Sequence, residues 1–136
     1  MSDERALKAL TRLRHIETDE ARRALAETLA EETALLDRDA TLAAAAIAAR
    51  TVAGEYDRDS FAAFLARVRT ERETLAAALR ATEARTAAAR MALGSRRMAE
   101  TTAAEALDRT VLERKAETAR RDQLTLEDVA RALRRR

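Results

Sequence analysis

Proline and cysteine are absent from this 136-residue chain, glycine occurs twice, and only Tyr56, Phe61 and Phe64 are aromatic. Without proline the strongest helix breaker is missing. Without cysteine there is no disulfide framework and no thiolate metal site, which fits a reducing compartment. Aromatic rings bury the most area per residue, so three of them cannot fill a round core. No apolar run reaches the roughly 18 residues that mark a membrane-spanning helix. The opening stretch "MSDERALKAL" carries acids and no apolar segment, so no secretory signal is expected. What remains is 37% charged residues and 47% in the broad hydrophobic class, much of it alanine. A composition rich in Ala, Glu, Leu and Arg predicts long helices or a coiled coil. The expected class is all-α and elongated, in one domain over 1–136. The 26 basic and 24 acidic residues leave a net charge of +2, which suits a solvated helical surface better than a nucleic-acid footprint.

Larger apolar residues recur at Leu7, Leu10, Leu13, Ile16, Leu25, Leu29, Leu36 and Ile47, with Ala21 and Ala43 filling gaps. Their mean spacing of about 3.6 predicts one apolar stripe on one helix, about 3–53. Asp3, after Ser2, suits its start. Gly54 and the polar stretch "EYDRDS" predict a turn at about 54–59, with Asp57, Asp59 or Ser60 as the next cap. The pattern resumes at Phe61, Leu65, Val68, Leu75 and Leu79. Gly94 alone costs about 1 kcal/mol and does not end it, so the second helix is expected over about 60–134.

Folding the chain back at residues 56 and 57 sets residue i opposite roughly residue 113 − i. Leu7 then meets Ala106, Leu10 Ala103, Leu25 Ala88, Leu29 Ala84, Leu36 Ala77 and Ile47 Ala66. Large opposite small allows two helices to approach closely. Leu13 opposite Glu100 and Leu75 opposite Arg38 are exceptions, and alanine is common enough for some matches to be chance. The expected fold is a two-helix antiparallel coiled-coil hairpin with a longer, overhanging C-terminal helix. The clustered aromatics fall at its tip. There Phe61, Phe64 and Tyr56 either plug the end of a thin seam or present an exposed contact to a partner.

Beyond about residue 110 the second helix has nothing opposite it. Leu112, Ala116, Ala119, Gln123, Leu126, Ala130 and Leu133 follow one another at alternating steps of four and three, a heptad seam. An apolar stripe of this kind either binds another protein or frays in water. Residues 112–136 hold eight basic and five acidic residues. The terminal arginines suit the negative end of the helix dipole and equally suit an acidic partner surface.

Residue patterns that carry chemistry are missing. His15 has no acid three residues before it, so the helical Glu-x-x-His di-iron pattern is absent, and it reads as a surface or seam-edge residue. Gly54 and Gly94 are isolated, which excludes a glycine-rich phosphate loop. No basic face interleaved with aromatics supports nucleic-acid binding, and interleaved acids argue against a membrane-surface helix at the arginine-rich end. No enzyme activity, cofactor or metal is expected.

Two stretches resemble the FliJ family of small flagellar export proteins and their YscO-type injectisome counterparts. Near the start, "ALKALTRLRHIETDEARRALAE" resembles the family's opening helix at Leu7, Leu10, Arg14, Glu17, Ala21, Arg22, Arg23, Leu25 and Ala26. Near the end, "RRDQLTLEDVARALRRR" resembles its basic–Gln–x–x–Leu–acid–acid–aliphatic–Ala pattern at Arg121, Gln123, Leu126, Glu127, Asp128, Val129 and Ala130. The heavy use of arginine over lysine, and of threonine within helices, departs from that pattern. The resemblance implies a non-enzymatic stalk similar to the rotary shaft of F-type ATPases. It implies a seat in the hexameric export ATPase, contact with the export gate's cytoplasmic domain, and a link to export chaperones. The implied location is cytoplasmic and peripheral, at the inner-membrane export apparatus, with no membrane insertion and no nucleic acid. Partner contacts are then expected at Leu112, Arg121, Gln123, Leu126, Glu127, Asp128, Val129, Arg131, Leu133 and Arg134, and at the tip. A self-associating structural coiled coil is the alternative, and a nucleic-acid-binding helical protein a weaker third.

Overall fold

The computed structural model describes residues 2–55 and 57–136. Helix α1 (Ser2–Thr51) and helix α2 (Arg58–Arg134) are joined by a 3-10 turn at Ala53–Glu55. The fold is an all-α antiparallel two-helix hairpin whose C-terminal helix is the longer, 77 residues against 50. There is no strand among the described residues.

The helix ends follow from local bonding. The Glu55 amide donates to the Val52 carbonyl at 3.0 Å, closing the 3-10 turn. Of the three candidate caps, Asp57 takes the position before α2. Its carbonyl accepts the first helical bond from Phe61 at 3.0 Å, while Ser60 Oγ donates to its carboxylate at 3.5 Å. Helix α2 therefore starts at Arg58, slightly before the expected 60, and α1 stops at Thr51 rather than 53. Gly94 lies inside α2, which continues through it, as an isolated glycine in a strong helical pattern does.

The chain divides into two compact units, Glu20–Gly94 and Met1–Asp19 with Ser95–Arg136. Within Glu20–Gly94, Ala43 aside, the covered α1 positions are Ala21, Leu25, Thr28, Glu32, Leu35, Asp39, Leu42, Ala46 and Ala49. They alternate strictly in steps of four and three, and so do Leu75, Leu79, Thr82, Thr86, Ala89 and Leu93 on α2. That period of 3.5 belongs to supercoiled helix pairs. In the other unit the same steps run through Glu4, Leu7, Thr11, Arg14 and Thr18, and through Glu100, Ala103, Leu107 and Thr110.

This corrects the stripe expected from the larger apolar residues. Leu13, Ile16, Leu29, Leu36 and Ile47 are exposed, Ile47 by 66%. Both members of the expected pairs Leu29–Ala84, Leu36–Ala77 and Ile47–Ala66 face water. A stripe counted at 3.6 residues per turn slides by about 20° per heptad relative to a 3.5 seam. Leu7, Leu10, Ala21, Leu25 and Ala43 of the expected stripe fall on or beside the seam and are covered, while its other members miss it. Position within the heptad, not side-chain size, decides what is covered.

Small polar residues fill much of the covered face. Thr18, Thr82 and Thr86 are almost wholly buried. Thr18 Oγ1 donates to the Arg14 carbonyl at 2.9 Å, and Thr86 Oγ1 to the Thr82 carbonyl at 3.0 Å. Each hydroxyl is satisfied within its own helix, so burial leaves no polar group stranded. Leu42, Val68, Leu93 and Ala103 are the buried apolar residues among those described. Edge ion pairs add to this thin seam. Arg72 grips Asp39 at 2.8 and 3.2 Å, Arg38 reaches Glu71 at 2.6 Å, and Arg85 pairs with Glu31. The Arg72 bond, and then its charge, hold the Asp39 carboxyl below its ordinary value of 3.8.

Candidate partner-binding surface

In the unit of Met1–Asp19 with Ser95–Arg136, ion pairs between the helices run along the seam. Glu17 meets Arg96 at 3.3 Å. His15 Nδ1 lies 2.9 Å from Glu100, and its Nε2 lies 3.4 Å from Asp19. His15 is thus an exposed seam-edge residue. At the start of α1 the buried Glu4 is held by Lys8 at 2.8 Å on its own helix. Its Oε2 also lies 2.8 Å from Arg114 Nε, a charge contact without hydrogen-bond alignment. The Lys8 hydrogen bond chiefly lowers the Glu4 pKa, with the Arg114 and Lys8 charges assisting against burial.

Past this ion pair the covering ends. Glu117 is half-buried, and every residue from Thr118 to Arg136 is exposed. Leu112, Leu126 and Leu133 are each about two-thirds exposed, and Leu124 and Val129 about half. Alternating salt links on α2 itself support this stretch. Glu117 accepts from Arg120 at 2.8 Å and Arg121 at 3.1 Å, Gln123 donates to Glu127 at 3.2 Å, and Arg131 lies 3.7 Å from Asp128. The Arg120 bond holds the Glu117 carboxyl below its ordinary value. Pairs at this spacing give modest support to an otherwise unsupported helix.

The direction of the exposed stripe matters more than its existence. Continuing the seam of Ala103, Leu107, Thr110 and Arg114 by steps of three and four leads to Glu117, Arg121, Leu124, Asp128 and Arg131. The apolar stripe through Leu112, Ala116, Ala119, Gln123, Leu126, Ala130 and Leu133 is offset from that register by two residues. At 3.5 residues per turn, this places it roughly 150° around the helix from the seam. It is a separate face, not the hairpin interface running on past its partner.

The expected contact residues therefore divide. Leu112, Gln123, Leu126 and Leu133 lie on the stripe, with Glu127, Val129 and Arg134 flanking it. Arg121, Asp128 and Arg131 lie on the opposite side, in line with the seam. Leu124, absent from the expected set, shares that side, and extending the heptad register past Arg114 would have found it.

At the hairpin tip Phe61 and Phe64 are half-buried. With Ala48, Ala49, Val52 and Ser60 they line an open cleft of about 540 Å³. The rings thus both cover the end of the seam and keep an accessible side. Tyr56 lies outside the described residues.

Among the described residues no group of His, Asp and Glu side chains could hold a metal ion, and no helix is long and apolar enough to cross a membrane. No family model, curated protein or solved structure matches the chain.

Proposed function

We propose that the chain is a non-enzymatic central stalk of a flagellar-type (type III) export ATPase, coupling the hexameric ring to the export gate's cytoplasmic domain. The observation that carries this reading is the uncovered stripe of Leu112, Leu126 and Leu133 on α2, which starts level with the last ion pair to α1 at Arg114 and runs on past it. A shaft seated in a ring needs a narrow cross-section and a contact surface of its own. Two helices joined by Leu, Ala and Thr supply the first, and residues 112–136 the second. The FliJ-like stretches at both ends point to the same role and imply a cytoplasmic position at the inner-membrane export apparatus. The heptad spacing of the stripe equally suits the alternative, a self-associating coiled coil.

The test is Leu126→Asp in a binding assay with the cognate hexameric ATPase. An unpaired charge forced into an apolar contact should weaken binding at least about tenfold, while the thermal melting of the hairpin stays unchanged. Reversing the charge of Arg131 and Arg134 together should weaken it less, and mainly at low salt. Unchanged ring binding by Leu126→Asp would remove the assignment of this face.

A further inference from the structure

The exposed stripe of α2 is flanked by charges whose order is informative. In heptad terms Leu112, Ala119, Leu126 and Leu133 are d positions, and Ala116, Gln123 and Ala130 are a positions. The e positions beside them are Glu113, Arg120, Glu127 and Arg134, four charges of strictly alternating sign. The g positions on the other flank are Lys115, Asp122, Val129 and Arg136.

In a parallel coiled coil, g of one chain meets e of the next heptad on the other. Two copies in that arrangement would set Lys115 against Arg120 and Asp122 against Glu127, repulsive in both cases. Antiparallel chains instead match e with e and g with g. Aligning Ala116 with Leu133, Gln123 with Leu126 and Ala119 with Ala130 brings Glu113 to Arg134 and Arg120 to Glu127. The two-fold axis repeats each pair, giving four attractive contacts. Sliding by one heptad either way sets Glu113 against Glu127 or Arg120 against Arg134. On the g side Asp122 meets Val129, and Lys115 has no helical partner, because α2 ends at Arg134 and Arg136 lies past it. The charges thus select the antiparallel orientation and favour this register, which makes four attractive contacts where a slip of two heptads makes two.

We propose that two copies of this chain pair antiparallel through residues 113–134 of α2, with Leu126 beside Gln123 of the other copy at the centre. Charge order along the uncovered face identifies a second copy as the occupant, because the helix is complementary to its own reverse. The alanines admit close approach, and Leu133 opposite Ala116 puts large against small. Gln123 near the centre limits affinity and favours a single alignment, as polar residues in such seams do. The inference does not rest on the stalk reading. It does imply that pairing and ring binding compete for one face.

Sedimentation equilibrium of the full chain alone, without any ATPase, tests it. The mass should rise from 15.0 kDa towards twice that value across roughly 1–500 µM, a range suited to a small interface. Arg120→Glu and Glu127→Arg should each weaken pairing at least about tenfold, since each converts two attractive contacts into repulsive ones. Mixing the two variants should restore association as a heterodimer. A parallel pair would respond with the opposite sign, because Lys115 would then face a glutamate and Asp122 an arginine. Circular dichroism of each variant checks that these exposed substitutions leave the helices intact. A monomer at every concentration, or tighter association by either single variant, overturns the proposal.

Discussion

Residues 75–93 and residues 112–133 of α2 carry apolar and small side chains at the same alternating spacing, yet the first set is covered and the second is not. Leu93 is 6% exposed and Leu133 66%. Periodicity therefore finds a face without naming its occupant. What separates the two stretches is the company they keep. Thr82 and Thr86 stand among the leucines of the covered stretch, where the uncovered one carries Gln123, and alanines occur in both. The uncovered stretch is bordered by charges that alternate in sign, the mark of a surface that selects its neighbour in water.

The largest expected effect sharpens this contrast directly. Leu93→Ala should destabilise the hairpin by about 2–3 kcal/mol, towards the lower end for buried leucines because the seam is thin. Leu133→Ala should change stability by under about 0.5 kcal/mol. Chemical denaturation of both variants measures the difference. Equal effects that do not change with protein concentration would show that the exposed stripe is covered within the monomer after all.

A smaller effect belongs to the tip. Replacing Phe61 and Phe64 together by Ala should cost about 1–2 kcal/mol, since both rings are half-buried, and should speed amide exchange first around Val52 to Leu65. Unchanged exchange there, combined with weaker binding to a partner, would assign the rings to contact and not to closure.

The smallest effect separates edge charge from seam packing. The Asp39 pKa is lowered in the folded state, so the unfolded chain binds its proton more readily. The resulting stability is present above the ordinary carboxyl value and is lost as pH falls through the folded one. Asp39→Asn should flatten the acid limb of the melting temperature below the ordinary carboxyl value of 3.8, and alter neutral-pH stability slightly, as an exposed pair does. An acid limb identical to that of the parent chain would count against this pair as a contributor.

Fold and site were legible to different depths. No proline, one turn signal at Gly54 and sustained apolar spacing sufficed for two helices and a hairpin, because helix formation depends on local residue types. The seam's membership was not legible from the leucines. Its 3.5-residue period emerges only when two helices wrap one another, and it draws in Thr82, Thr86 and Asp39 while leaving Leu36 and Ile47 outside. At the overhang, the stripe from Leu112 to Leu133 could be read from spacing alone. That Arg121, Asp128 and Arg131 lie on another side required the register of Ala103, Leu107 and Thr110, which burial supplies and a list of residues does not.

Within Glu20–Gly94 the buried threonines have a mechanical consequence. A hydroxyl already committed to its own helix asks nothing of the helix opposite, so Thr86 presents a methyl-lined bump with no directional preference. An interface of such bumps resists being pulled apart more than being slid. Shear along the helix axis is opposed by the bulkier Leu42, Val68 and Leu93 set between them, with the rim pairs of Arg72 and Asp39, Arg38 and Glu71, and Arg85 and Glu31 adding only slightly. Alignment of the two helices is in this sense a property of a few large side chains, and the threonines between them act as spacers.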